Sequence, residues 1–266
     1  MSIITGTDKI VARREGAIGF LIFNNPERRN AVSLEMWQAA GEVLRLFDAD
    51  PAVRVIVLAG AGDKSFVSGA DISKFEDERA NAEAQETYSK VSSGMRKVLR
   101  GTGKPTIAMI RGYCIGGGMS LALSCDLRIC SDDAQFGIPA ARLGIGYGKE
   151  VLRRLDELTG PSLAKDFIFT ARRYKADAAL RMGIVNEVVT AAALENTVRA
   201  RAGNRDENAP LSILTAKRVV DELMKDAADR DVALCEQLVR DCGASEDFIE
   251  GRRAFMEKRK PVFKGR

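Results

Sequence analysis

The chain has 266 residues, 45% of them hydrophobic and 29% charged, with a formal net charge of +4. That length allows one large core with a small appended region, no apolar run approaches the roughly 20 residues that cross a bilayer, and so mild and evenly spread a basic excess excludes the concentrated positive face of a nucleic-acid binder. There is no histidine, which excludes Ser-His-Asp and Cys-His nucleophile systems and every His-bearing metal site.

In chain order, the N-terminal stretch has no apolar segment behind a basic start, so no secretory signal is expected. Residues 17–23 predict a strand ended by a turn at Asn24-Asn25-Pro26. Ser33 is expected to cap a helix from 34 to about 47, with Leu34, Trp37, Val43, Leu44 and Phe47 on one face. Residues 54–59 predict a buried strand. Tyr88, Val91, Met95 and Val98 then recur at helical spacing, and residues 106–110 predict another strand. Gly116-Gly117-Gly118 leads into 119–125, apolar on nearly all sides and so expected as a buried helix. Residues 126–130 return as a strand.

Strands and helices therefore alternate to about residue 190, which predicts an α/β core. From 191 onward the pattern is helical only. Leu211, Leu214, Val219, Leu223, Val232, Leu234, Leu238, Phe248 and Phe255 supply apolar faces there. No linker separates the parts and no internal sequence repeat is evident. Cys114, Cys125, Cys130, Cys235 and Cys242 are odd in number and lack C-x-x-C spacing, so they read as reduced thiols of a cytoplasmic protein. With no cysteine cluster and no EF-hand loop, no metal is expected.

The glycine-rich stretches fail the nucleotide-loop patterns. Residues 60–65 lack a glycine before Lys64, Gly103-Lys104 is followed by Pro105, and Gly144–Gly148 ends on Lys149 where the dinucleotide fingerprint needs glycine. Two others combine differently: 66–71, a turn ahead of Ile72, and 112–118, directly before the buried helix. Glycines there let a ligand approach the backbone, and a helix start carries unsatisfied N–H groups. One N–H from each would make an oxyanion hole; the other reading is two plain turns whose glycines serve backbone angles alone.

NPERRNAVS (25–33), FVSGADI (66–72), KPTIAMIRGYCIGGGMSLALSCDLRI (104–129), FGIPAARLGIG (136–146) and FMEKRKPVFKG (255–265) resemble, in order and spacing, the signature stretches of the crotonase (enoyl-CoA hydratase/isomerase) superfamily. The resemblance covers nearly the whole chain. It implies an α/β fold: a crotonase-like spiral of β-β-α units over 1–190 that binds acyl-CoA, and an all-helical C-terminal region over 191–266 for oligomerisation and active-site closure. It implies a homotrimer or a dimer of trimers, an acyl-CoA thioester as ligand, and no cofactor, coenzyme A being part of the substrate.

By match to the family, the backbone N–H groups of Ala70 and Gly117 hold the thioester oxygen. Ser68, Gly69, Asp71 and Ile72 belong to the loop past which the acyl-CoA is drawn, and Gly116 to the second bend. Asp71 has a second reading, as the cap of the following helix. Lys258 matches a lysine that reaches the nucleotide part of CoA, often across a subunit boundary; its other reading is a solvated charge in a basic tail.

Crotonase-type reactions pass through a thioester enolate, and two fixed N–H donors stabilise its oxyanion without histidine or metal. The hydratases of the family also use two glutamates on water. Ser120 and Ala140 stand at those positions here, so plain hydration is expected to be slow. Tyr147 falls where the family's methylmalonyl-CoA decarboxylases carry a tyrosine that binds the substrate carboxylate; its other reading is a pocket-wall aromatic. The histidine that such decarboxylases often place at the Ala70 position is absent. Glu150 lies two residues beyond the acidic position of some isomerases, a turn of roughly 200° on a helix, and reads as a solvated helix-start carboxylate. Cys114, with no cation to activate it, reads as a buried inert thiol. Trp37 reads as helix core, and Asp126 as a turn or cap residue. The expected activity is that of a lyase or isomerase acting on acyl-CoA without the hydratase glutamates. The alternatives are a decarboxylase of a malonyl-type CoA using Tyr147 and a non-catalytic acyl-CoA-binding protein.

Overall fold

A computed structural model describes residues 2–3, 5–74, 80–203 and 208–266. Seven strands form one sheet in the order β1 (Ser2–Ile3), β2 (Ile10–Glu15), β3 (Ile18–Phe23), β4 (Val55–Gly60), β6 (Thr106–Ile110), β8 (Leu127–Ser131) and β11 (Glu187–Val189). The first three are antiparallel; from β3 onward every neighbour is parallel. Parallel pairing needs a crossover between strands, and the crossovers build the rest of the molecule. A second sheet runs β10 (Tyr174–Lys175), β9 (Gln135–Gly137), β7 (Tyr113–Ile115) and β5 (Ser65–Val67).

The chain alternates between these sheets. β4 is followed by β5 and α2 (Ala82–Gly101). β6 is followed by β7 and α3 (Gly117–Leu123). β8 is followed by β9, a 3-10 turn at Pro139–Leu143, α4 (Lys149–Thr159) and α5 (Pro161–Thr170). These are successive β-β-α units, a structural repeat with no counterpart in the sequence. Helix α1 (Leu34–Ala49) precedes them and packs on α2.

Alternation of side chains along a strand divides the buried residues between two cores. Ile56 and Leu58 of β4 join Trp37, Leu44 and Phe47 of α1 in the larger one. Val55 and Val57 point the other way, to Phe20, Ile107, Ile129 and the Leu194 and Val198 side chains of α7 (Leu194–Gly203). Both faces are covered, so β4 reads as a continuous apolar run and is buried from Val55 to Ala59. Arg128 is fully buried behind α3. Its Nε donates to the Ile184 carbonyl and its Nη1 to the carbonyls of Ala122 and Cys125, so it satisfies acceptors left over at a helix end. Asp126, expected as a cap or turn residue, accepts from the Thr106 amide and hydroxyl and from Lys217 of α8 (Pro210–Leu223), which joins that helix to β6.

After α6 (Ala176–Arg181) and β11 the chain is helical: α7, α8, α9 (Val232–Ala244) and α10 (Glu246–Glu257). The tail folds back on α10, where the Asp247 carboxylate accepts from the amides of Lys264 and Gly265. No helix among the described residues is long and apolar enough to cross a membrane.

Predicted and observed elements agree closely where apolar runs are long: the first buried strand spans Ile18–Phe23, the first helix Leu34–Ala49, and Thr106–Ile110 is a strand. One expectation is corrected. Ser33 occupies the position before α1 in extended conformation, but its hydroxyl caps nothing and is buried without a partner.

Candidate active site

β5 and β7 are parallel neighbours, with Ser65 opposite Tyr113 and Val67 opposite Cys114. Their C-terminal ends therefore emerge side by side, and each runs at once into a glycine-bearing bend. Gly69 takes φ +116° and Gly116 takes φ +57°, conformations that side-chain-bearing residues rarely adopt. A β-carbon on Gly118 would stand 2.0 Å from the Val67 carbonyl oxygen, so only glycine lets α3 seat against β5. A β-carbon on Gly117 would stand 3.7 Å from the Cα and carbonyl carbon of Gly69, which places the two bends in contact.

The bend after β5 is held by α1's leader. The Val32 amide donates to the Gly69 carbonyl at 2.9 Å, and the Asp71 amide donates to the Val32 carbonyl at 3.0 Å. In such a parallel bridge the residue between, Ala70, turns its own N–H to the opposite side. Gly117 is the first residue of α3, and the N–H of a first helical residue has no intrahelical acceptor. The bonds beside it run from the Gly116 amide to the Gly137 carbonyl, 2.8 Å, and from the Ser120 amide to the Gly116 carbonyl, 3.0 Å.

A cavity of about 670 Å³ opens over the bends. Of the residues singled out from sequence, Ala70, Gly117, Tyr147, Ser68, Gly69, Ile72, Gly116, Ser120 and Ala140 border it. Asp71 and Lys258 do not. The Asp71 carboxylate accepts from the Ser73 amide at 3.1 Å, from the Ser73 hydroxyl at 2.7 Å and from Arg28 at 3.3 Å. Burial works to raise its pKa, yet these hydrogen bonds and the Arg28 charge hold it below the ordinary aspartate range. This is the capping arrangement. Lys258 ends α10 in a left-handed conformation, exposed and outside the cavity of its own chain.

The walls are set by local chemistry. The Trp37 indole N–H donates to the Tyr88 hydroxyl at 2.9 Å, which donates to the Val32 carbonyl at 3.1 Å, so Trp37 stands as a fixed wall beside Gly117. The Ser120 hydroxyl donates to the Gly116 carbonyl at 3.3 Å. The Ala140 carbonyl accepts from the Ile145 amide at 3.0 Å, closing the turn that brings Tyr147 back over the bends. The Tyr147 hydroxyl lies 3.8 Å from where a β-carbon on Gly116 would stand. Glu150, expected as a solvated helix-start carboxylate, is exposed but also borders the cavity. It is bonded to Arg100, and that bond keeps its pKa below the ordinary glutamate range. Cys114 is buried in the large core, where desolvation pushes its thiol pKa well up and keeps it un-ionised.

Arg96 also borders the cavity and was not singled out from sequence. A signal was present: Tyr88, Ser92 and Arg96 repeat every four residues along α2 and so share a face. A second, more open groove lies between α4 and the end of α8, lined by Arg153, Glu157, Asp226 and Arg230 among others. Arg153 pairs there with Glu157 and Asp226, and Arg230 donates to the carbonyls of Lys225 and Leu223; neither glycine-bearing bend lines it.

The family model described as enoyl-CoA hydratase/isomerase matches residues 13–266. The chain belongs to this family. Among enoyl-CoA hydratase/isomerase relatives, the short-chain-enoyl-CoA hydratase of Clostridium acetobutylicum is 35% identical over 253 residues, covering 95% of this chain and 96% of that protein. The carnitinyl-CoA dehydratase of Escherichia coli strain K12 is 34% identical, covering 95% and 97%. The fold is that of solved family members. An enoyl-CoA hydratase/carnithine racemase from Magnetospirillum magneticum superposes with a TM-score of 0.92 at 34% identity, covering 98% of this chain and 97% of that one. An enoyl-CoA hydratase from Bacillus anthracis gives 0.91 at 28% identity, covering 97% and 100%. The β-β-α spiral with its helical C-terminal region is thus a crotonase fold.

Proposed function

We infer that this member of the enoyl-CoA hydratase/isomerase family binds an acyl-CoA thioester in the cavity over the two bends and stabilises its enolate between the Ala70 and Gly117 amides. One observation carries the inference: the two bends touch, and neither amide is engaged in the backbone hydrogen bonds that fix its own bend. As negative charge grows on the thioester oxygen, fixed donors need not reorganise, and losing one such donor commonly costs roughly 3 kcal/mol. Ser68, Gly69, Ile72 and Gly116 form the floor past which the acyl group enters. Lys258 is assigned to the nucleotide part of CoA bound to a neighbouring subunit, since it lies off its own chain's cavity.

The cavity offers little acid–base machinery at the two positions where hydratases of the family carry glutamates. Ser120 bonds its own helix and Ala140 has no polar side chain. Glu150 is tied to Arg100. A step that needs an oxyanion hole more than a base suits such a site, and decarboxylation of a malonyl-type CoA is that step. The C–C bond to the carboxylate breaks, carbon dioxide leaves, its electron pair forms the enolate, and a proton from solvent completes the acyl-CoA. The Tyr147 hydroxyl, close over Gly116, is placed to orient the leaving carboxylate.

Incubation with enoyl-, β-hydroxyacyl- and malonyl-type CoA esters, with products read by mass, tests this. Turnover of a methylmalonyl- or ethylmalonyl-CoA, slowed roughly 10–100-fold by Tyr147→Phe through loss of a charge-assisted hydrogen bond, is the expected result. Saturable binding with every ester returned unchanged would make the protein a non-catalytic acyl-CoA binder; absence of any saturable binding would end the acyl-CoA reading.

Trimers or pairs of trimers are part of the same proposal. Val232, Val239, Phe248, Ile249, Phe255 and Met256 of α9 and α10 are exposed on the single chain, a supply of apolar surface that a neighbouring subunit would cover.

A further inference from the structure

Arg96 is a cation in the cavity that the mechanism above leaves unused. It lies one helical turn beyond Ser92 and two beyond Tyr88 on the face of α2 that borders the cavity. Its Nε is buried with no hydrogen-bond partner. The residue as a whole is only half-buried, but a donor nitrogen drawn out of water without an acceptor is costly, and such an atom calls for a reason. Other charges bordering the cavity are paired or solvated: Glu86 pairs with Lys90 at 2.7 Å, Glu150 pairs with Arg100, and Lys149 is exposed. Burial and the neighbouring Arg100 charge both press against the protonated form of Arg96, and Tyr147, Glu150 and Tyr88 offset them only in part and through space.

We propose that Arg96 determines specificity in the acyl pocket and selects CoA thioesters whose acyl chain ends in a carboxylate. This holds only if the cavity takes acyl-CoA, as proposed above. A guanidinium offers a planar fork of donors that a carboxylate meets in bidentate fashion, and the buried, unpartnered Nε is one prong of that fork. The surrounding walls, Trp37, Ile145 and Val151, are apolar and suit the methylene chain between thioester and carboxylate. The carboxylate that Arg96 holds is one that survives the reaction. A fixed cation on a departing carboxylate stabilises the reactant more than a transition state whose charge is moving to the thioester oxygen, and so slows the step. The ligand class is therefore an acyl-CoA that carries a free carboxylate distal to the reacting carbon, in addition to any carboxylate that leaves in the reaction.

Glutaryl-CoA and valeryl-CoA, acyl chains of equal length that differ in a terminal carboxylate, provide the test by calorimetric titration of the full-length protein. The wild-type protein is expected to bind glutaryl-CoA about tenfold or more tightly than valeryl-CoA. Arg96→Met should bring glutaryl-CoA affinity down to that of valeryl-CoA, and Arg96→Lys, which keeps the charge without the fork, should restore part of the difference. Equal affinities in the wild-type protein, or a preference that survives Arg96→Met, would overturn the assignment and leave the acyl-CoA reading standing. Binding of neither ester would overturn both. The wild-type comparison decides the matter even if a variant fails to fold.

Discussion

In α3 six of the seven residues are buried, whereas in α9 none of the thirteen is. Both helices are rich in apolar residues, and Leu121 and Val239 are equally at home in a core by chemistry. The difference is what their own chain brings against them. α3 is clasped by β5, β7 and α4, so its apolar surface is consumed within one subunit. α9 meets α8 on one side and leaves Val232 and Val239 outward. An apolar pattern therefore specifies a helix in both places, but a finished core in only one.

The largest test of this contrast is all-or-none. If the outward face of α9 and α10 is a subunit interface, the wild-type protein should sediment as three or six chains. Val239→Glu combined with Phe248→Glu should yield folded monomers, because an unpaired carboxylate cannot be buried against an apolar partner. A monomeric wild-type protein would remove the interface.

The next effect concerns the clasp around α3. Gly118→Ala puts a β-carbon against the Val67 carbonyl, a backbone atom that can move only with its strand. A loss of about 3 kcal/mol, or roughly 10 °C in melting temperature, is expected for overpacking of this kind, together with displacement of the Ser68–Ala70 bend and loss of acyl-CoA binding. Gly243→Ala in α9 is the counterpart. Nothing lies within 4 Å of its added carbon, and the better helix propensity should raise stability by up to about 1 kcal/mol. Opposite signs by thermal melting would support the contrast; equal signs would break it.

The smaller effect is pH-dependent. The Asp71 pKa is lowered in the fold. Its stabilising contribution is therefore complete above the unfolded value of about 3.9 and is lost as pH falls through the folded value. Asp71→Asn should cost about 1–2 kcal/mol at pH 7 through loss of charge-assisted bonds from Ser73 and Arg28. The gap from wild type should close as pH falls below about 4. A gap that stays constant down to acid unfolding would show that the charge contributes nothing.

Much of the fold was legible because its central strands and first helix carry strong periodic signals. The run at 106–110 is buried but for the partly buried Met109, and the stripe from Trp37 to Phe47 is buried throughout, so local pattern and tertiary burial agree. β5, β7 and β9 were missed as strands. Each is three residues long, too short for a period of two to show, and β5 and β7 are flanked by glycines. The candidate site was legible through its bends and through the family resemblance, which named nine residues that border one cavity. Arg96 was not, because a single arginine in a helix reads as solvated until a cavity is seen beside it. The capping role expected of Ser33 failed for a related reason: its hydroxyl is buried where the chain turns into α1, with no acceptor or donor in reach.

The amino-acid sequence alone determined the α/β class, the family, the absence of imidazole chemistry and the glycines at both bends, since these depend on composition and local backbone need. Tertiary structure decided that Gly69 and Gly117 touch, that the Val32 pairing turns the Ala70 amide away from α1's leader, and that Asp71 is occupied by Ser73 and Arg28. It also set an unpartnered guanidinium nitrogen beside the cavity. Contact between residues tens of positions apart is a property of how strands stack and cross over, which no local pattern encodes.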